Sequence, residues 1–291
     1  MSYERQPLAP FLARPSQLGA EISVTGKWVP STPGSLFRKS PDSAEMRQEW
    51  QDIHDAAAAD PGVLSTEINH AVGEDAVLVH HVFKDADALI SYFATTATRH
   101  MGALTQVAKP EQHLIRGIEV PDEVRDAIRA KSVSGDFGEY LYGFVKDDYR
   151  RPDLKKAIMV TAKWTCKPGD ESHLDELEYW WQRVATDAHS MEEGMIRFEA
   201  YRVIGEDALI IHEVFRDTAE LRFHLTRGTA AKYKSEIDQI ASPESYFFRG
   251  PVSWDIRTYS KFMHLPATYS SLGSHFTQPA GTMSEGATPH I

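Results

Sequence analysis

Two hydrophobic patterns, one with the period of a strand and one with the period of a helix, run through this chain twice in the same order. Ile22 to Val29 (ISVTGKWV) and Ile158 to Thr165 (IMVTAKWT) are rich in β-branched and aromatic residues and share Val-Thr-x-Lys-Trp before a Pro-Gly turn, so each predicts a strand. Apolar residues then recur at steps of three and four, at Met46, Trp50, Ile53 and Ala57 and again at Leu174, Leu177, Trp181 and Val184. That spacing predicts a helix in each copy, with Asp42 or Asp170 as its cap. Pro61-Gly62 and Gly194 end those helices and open a second strand, Val63 to His70 or Met195 to Val203. The next stretch, GEDAVLVHHVFKD from Gly73 to Asp85, returns as GEDALIIHEVFRD from Gly205 to Asp217, 132 residues later (205 against 73). Of the thirteen paired positions only His81/Glu213 changes chemical character. Each stretch reads as a turn and a strand, and its final aspartate caps a second helix carrying Leu89, Phe93 and Ala97, or Leu221, Leu225 and Gly228.

The copies match again at Leu114-Ile115-Arg116-Gly117 and Phe247-Phe248-Arg249-Gly250. Beyond this point they are expected to diverge. Copy one carries an inserted helix near 121–132, with Pro121 at its first turn, and then a strand at Glu139 to Phe144. Ser253 to Thr258 is read as the matching strand of copy two. The expected organisation is an arm over 1–18, a first domain over 19–150, a second over 151–265 and a loose tail over 266–291, with the junction in the charged run from Lys146 to Lys156. Each copy is then βαββαβ, a ferredoxin-like order in the α+β class. Helices on one face of such a sheet leave the other face bare, and two copies in one chain can cover each other as an intramolecular barrel.

Composition narrows the function. The 291 residues are 25% charged and 42% hydrophobic, as in ordinary globular domains, and no apolar run approaches the roughly 20 residues of a membrane helix. A cytoplasmic location is the default expectation, since the first twenty residues are too broken by charge and proline for a secretory signal and Cys166 is the only cysteine. The formal net charge of −11 argues against nucleic acid as a partner. No zinc spacing, phosphate loop, dinucleotide fingerprint or nucleophile elbow occurs, so no metal site is expected.

Glu213-Val214-Phe215-Arg216-Asp217, Ala219-Glu220-Leu221 and His224 resemble the antibiotic-biosynthesis-monooxygenase group of the dimeric α+β barrel superfamily, here as a fused tandem. Copy one keeps the frame, with His81 in place of the acid and Tyr92 in place of the helix histidine. The resemblance implies a cavity in each half, between the sheet and the second helix. It also implies a monooxygenase that works without metal or flavin on an aromatic or polyketide-like molecule and dioxygen, the substrate's own anion reducing the oxygen. Such chemistry needs an apolar pocket, a base and a partner for the anion.

The candidate catalytic residues are accordingly His224, as base or anion partner, with Tyr92, Glu213 and His81. The candidate substrate contacts are Lys163, Trp164, Lys27, Trp28, Phe215 and Phe83. Each has a plainer alternative: a core-edge histidine bonded to a backbone carbonyl, a packed tyrosine, a core tryptophan, or a lysine reaching for water. His80 and His212, identical between copies and on the opposite strand face, are expected to be structural. Haem binding or degradation is a rival reading, with Tyr92, His224, Lys27 and Lys163 departing from the haem-degrading pattern and His100 matching it loosely. Non-catalytic binding of a small molecule is a third. Replacing His224 by Ala is expected to abolish turnover and leave melting nearly intact, and assembly into homo-oligomers stays open.

Overall fold

The computed structural model describes residues 7–12, 19–34, 40–130, 135–146, 156–169 and 173–277. The first repeat contains β1 (Ile22–Pro30), α1 (Ser43–Ala58), β2 (Val63–Ala71), β3 (Val77–Phe83), α2 (Ala86–Ala94), α3 (Thr96–Val107), β4 (Ala108–Gly117), α4 (Asp122–Arg129) and β5 (Asp136–Val145). The second contains β6 (Ile158–Cys166), α5 (His173–Met191), β7 (Met195–Val203), β8 (Ala208–Phe215), α6 (Thr218–Thr226), α7 (Thr229–Ile240), β9 (Ala241–Arg249), α8 (Trp254–Phe262) and β10 (Ala267–Thr277). The repeated hairpin forms as its chemistry requires. Gly73 and Gly205 take φ of 86° and 81°, a region that costs residues with a Cβ. Asp85 then accepts a hydrogen bond from the Ala88 amide at 2.8 Å, and Asp217 accepts from Ala219 and Glu220, capping α2 and α6.

The strands of each repeat pair in ferredoxin-like order, β4-β1-β3-β2 in the first and β9-β6-β8-β7 in the second. The last strand of each repeat joins the two sheets. β5 runs parallel to its own β4 and antiparallel to β7 of the other repeat, while β10 runs parallel to β9 and antiparallel to β2. All ten strands thus close into one barrel. Closure removes the open edges that a free sheet would present.

Five sequence expectations are corrected. The second helix of each copy is two helices, broken at Thr95 and at Arg227-Gly228, so Ala97 belongs to α3. Ser253 to Thr258 lies at the start of helix α8 rather than in a strand, because Ile256 and Ser260, one turn apart, both face inward. The true partner of β5 is β10, in the segment read as a tail; its register is supplied by β9 and β2 on either side, not by its own apolar pattern. The copies therefore do not diverge after β4, since α4 and β5 have α8 and β10 as counterparts, and the second repeat extends beyond 265 to Thr277. Asp42 flanks α1 without a side-chain cap bond and instead accepts from the Thr32 amide, whereas Asp170 and most of the predicted junction and arm lie outside the described residues. Residues 7–12 include a short 3-10 turn that buries Leu12 in the core of the second repeat.

Inside the barrel, Leu78, Leu114, Tyr201, Ile210 and Phe247 form an apolar layer. The charged residues beside it are paired across the pseudo-twofold, and the histidines within each repeat. Arg249 of β9 bonds Glu67 of β2 at 2.6 Å, and Arg116 of β4 faces Glu199 of β7 at 3.9 Å. Thr25 bonds His80 at 2.9 Å and Thr161 bonds His212 at 3.0 Å. Burial, helped by the arginines, holds both histidines neutral.

Candidate active site

Side chains alternate across the strands, so residues next to those of the barrel interior face the helices, and each repeat encloses a cavity there. The cavity of the second repeat measures about 610 Å³ including the part open to solvent. Its walls are Val160 and Trp164 from β6, Trp181 from α5, and Tyr246 and Phe248 from β9, with Tyr259 and Met263 from the end of α8. Glu213 from β8 and His224 from α6 reach this space side by side, and Lys234 of α7, paired with Asp238, also lines it. The Asp217 cap sets the phase of α6, so that Leu221 and His224, three residues apart, both turn inward.

His224 is 1% exposed and lies between two carboxylates. Its Nδ1 is 2.9 Å from Glu192 Oε2, and its Nε2 is 3.3 Å from Glu213 Oε1. The second contact falls outside hydrogen-bond geometry, and Glu213 Oε1 is buried with no hydrogen-bond partner among the described residues. Burial alone would expel the imidazole proton, but the charge of Glu213 and the bond to Glu192 outweigh it and push the pKa up to about 10. Glu192 is anchored in turn by the Thr229 amide at the start of α7, at 2.6 Å, and despite burial its pairing with His224 keeps its carboxyl below the usual range. Gly228 makes this fit possible. A Cβ there would lie 2.5 Å from Glu192 Oε1 and 2.7 Å from His224 Cα.

Sequence reasoning missed Glu192, which belongs to no strand or helix face. A signal existed nonetheless: Glu192 stands two residues before Gly194 as Asp60 stands two before Gly62. The one methylene of difference matters. Asp60 accepts from its own Gly62 amide at 2.8 Å and from Thr96 Oγ1 at 3.3 Å, and it makes no bond to Tyr92.

The first repeat holds the corresponding cavity, about 470 Å³ including its open part, without that charged set. Tyr92 occupies the place of His224, and His81 the place of Glu213. Burial, with His54 and His113 adding to it, pushes the His81 pKa down to about 3, and burial raises the Tyr92 phenol above its usual value. Trp28 and Trp50 complete an aromatic wall, their rings 5.2 Å apart.

The structure therefore brings His81, Tyr92, Trp28, Glu213, His224 and Trp164 to cavity walls. Phe83 and Phe215 pack against Tyr92 and His224, at ring distances of 5.2 and 5.1 Å. Lys27 and Lys163 are corrected. They point to the other face of their strands, where Lys27 pairs with Glu74 and Glu111, and Lys163 with Asp136, Glu206 and Glu244. Those acids outweigh burial and raise the Lys163 pKa, so the ammonium is fully engaged away from the cavity. Haem does not fit the second cavity: iron needs an imidazole nitrogen free of a proton, both His224 nitrogens face carboxylates, and His100 lines neither cavity.

Comparison with known proteins points the same way as the fold. Residues 157–235 match the family described as antibiotic biosynthesis monooxygenase. A candidate monooxygenase from Fusobacterium nucleatum is 12% identical, with 78% of this chain and 90% of that one covered at a TM-score of 0.52, which shows a shared fold and nothing finer. A candidate monooxygenase from Lactobacillus acidophilus is 14% identical over 79% and 91% of the two chains, at a TM-score of 0.47. An anthrone oxidase-like protein is 11% identical over 92% and 97%, at 0.49. No curated protein sequence matches the chain. Among the described residues no helix is long and apolar enough to cross a membrane.

Proposed function

Taking as premise that the chain is a fused tandem dimeric α+β barrel whose second repeat matches the antibiotic biosynthesis monooxygenase family, we propose that its second cavity oxygenates an aromatic phenol or quinone precursor. The observation that carries the reading is the buried Glu192, His224, Glu213 set at the wall of a largely apolar pocket. A phenolic or enolic hydroxyl at that wall gives its proton to the Glu213 carboxylate, whose Oε1 accepts no hydrogen bond among the described residues. His224 is already charged, so it acts as partner to the resulting anion rather than as the base. Glu192 keeps the imidazolium charged and oriented. The substrate anion, held away from water by Trp164, Trp181 and Tyr246, then reduces dioxygen itself. In the net change the substrate loses two hydrogens, the hydroxyl proton and one from the carbon that gains an oxygen atom, and the second oxygen atom leaves with them as water.

Oxygen uptake against a panel of phenols and quinone precursors such as anthrone tests the reading. Glu213→Gln keeps the volume and removes the base, and should lower turnover by about 100-fold or more while the circular dichroism spectrum stays unchanged. Uptake by Glu213→Gln equal to that of the parent would remove Glu213 from the mechanism. Absence of uptake by the parent across the panel would favour a binding role.

A further inference from the structure

Helices α1 and α3 pack side by side in the first repeat, Trp50 and Ile53 of one meeting the same core as Met101 and Leu104 of the other. At the solvent edge of that seam three side chains with metal-binding atoms converge. Glu49 and Asp52, three residues apart and therefore on one face of α1, meet His100 of α3, which lines neither cavity. Two carboxylate oxygens and one imidazole nitrogen lie within 4.8 Å of one another, and all three residues are half-buried. Among the described residues the three do not bond each other and no lysine or arginine pairs with either carboxylate; Asp52 accepts only a neutral bond, from the Gln48 side-chain amide at 2.8 Å. The protein therefore holds two like charges side by side, at a separation that a cation between them turns into attraction.

The second repeat shows that the fold brings these three positions together. Trp50 aligns with Trp181 and Leu104 with Ile237, so Glu49, Asp52 and His100 correspond to Trp180, Arg183 and Tyr233. There the side chains meet directly. Arg183 donates to the Tyr233 hydroxyl at 3.3 Å, and the rings of Trp180 and Tyr233 lie 5.7 Å apart. In the first repeat the same seam carries two acids and an imidazole, with no direct bond among them.

We propose that Glu49, Asp52 and His100 form a site for a divalent transition metal of the zinc type, bridging α1 and α3, with water filling the remaining positions. The donor set selects the ion. Two carboxylates offset the charge of a divalent cation, and the imidazole nitrogen favours zinc over magnesium or calcium, which take oxygen ligands. No thiolate stands among the three donors, so the set does not select a soft ion such as copper(I). Three protein ligands and water are a sufficient set for zinc. No spacing of Cys and His announces the site in the sequence, because its ligands come from two helices distant along the chain. The site lies in neither cavity and does not depend on the oxygenation reading.

Calorimetric titration of the untagged full chain with zinc chloride tests the site, with the nitrogen-15 signals of the histidine side chains followed in parallel. The parent should bind zinc saturably, move the His100 signals before those of any other histidine, and melt at a higher temperature with zinc than without it. His100→Ala should weaken this binding at least tenfold, as should Glu49→Gln and Asp52→Asn. All three variants alter half-exposed positions, so they should melt with the parent when zinc is absent. Magnesium in large excess should displace little of the zinc. Equal zinc affinity in the parent and in His100→Ala would mean an adventitious ion only and would overturn the assignment. So would His100 signals that ignore zinc, or magnesium that competes on equal terms, since carboxylates alone would then hold the ion.

Discussion

A histidine as deeply buried as His224 ordinarily sheds its proton, because burial penalises the charged form; the flanking carboxylates reverse that outcome. The consequence for stability has a definite sign. The folded pKa of about 10 lies above an unfolded value of about 6.5, so the stabilisation is complete below pH 6.5 and is lost as pH rises through 10. His80, His81 and His212 have the opposite sign, since they are neutral when folded, and acidification below about pH 6.5 favours the unfolded chain. Urea midpoints of the parent and of His224→Gln should therefore differ most near pH 6 and converge toward pH 10; a constant gap would contradict a charged His224. The expectation that His224→Ala leaves melting nearly intact is revised. Removing the cation strands two buried carboxylates, at a cost of about 3–5 kcal/mol. Glu213 and His224 stood out in the sequence through the resemblance, as the acid before Val214-Phe215-Arg216-Asp217 and the histidine one helical stretch later, and both line one cavity. The engagement of Lys163 was not legible there, since its partners Asp136, Glu206 and Glu244 come from three different segments.

Elements were legible where their pattern is set by one face, and illegible where it is set by neighbours. β3 and β8 carry their own near-continuous apolar run after a glycine turn, and both form as predicted. α1 and α5 follow from their three- and four-residue steps. β10 carries no such pattern: Ser, Thr and Gly dominate ATYSSLGSHFT, and the strand exists because β9 and β2 offer it hydrogen bonds on both sides. α8 misled for the reverse reason, since Trp-Asp-Ile-Arg alternates as a strand does while Trp254 stands out in solvent. The break between α6 and α7 is the element-scale feature that builds the site. It ends one helix just after His224 and presents the Thr229 amide to Glu192.

At the scale of the molecule, duplication has kept the frame and changed the chemistry. Each repeat lends a strand to the other's sheet and an arginine to the other's glutamate, so the barrel interior joins the halves twice. Arg249→Met should strand Glu67 in that interior and cost about 3–5 kcal/mol in urea unfolding, and the double replacement Glu67→Leu with Arg249→Met should recover most of it. Equal destabilisation by the single and double variants would show that the pair matters for packing rather than charge. The cavities on the outer faces have meanwhile parted, one charged and one uncharged, at the equivalent positions His224 with Glu213 and Tyr92 with His81. The nitrogen-15 spectrum of the histidine side chains across pH 5 to 10 tests that division most directly. The account predicts His224 with both ring nitrogens protonated up to about pH 10 and His81 neutral throughout. If both instead titrate together near pH 6.5, the two repeats do not differ in charge and the account is contradicted.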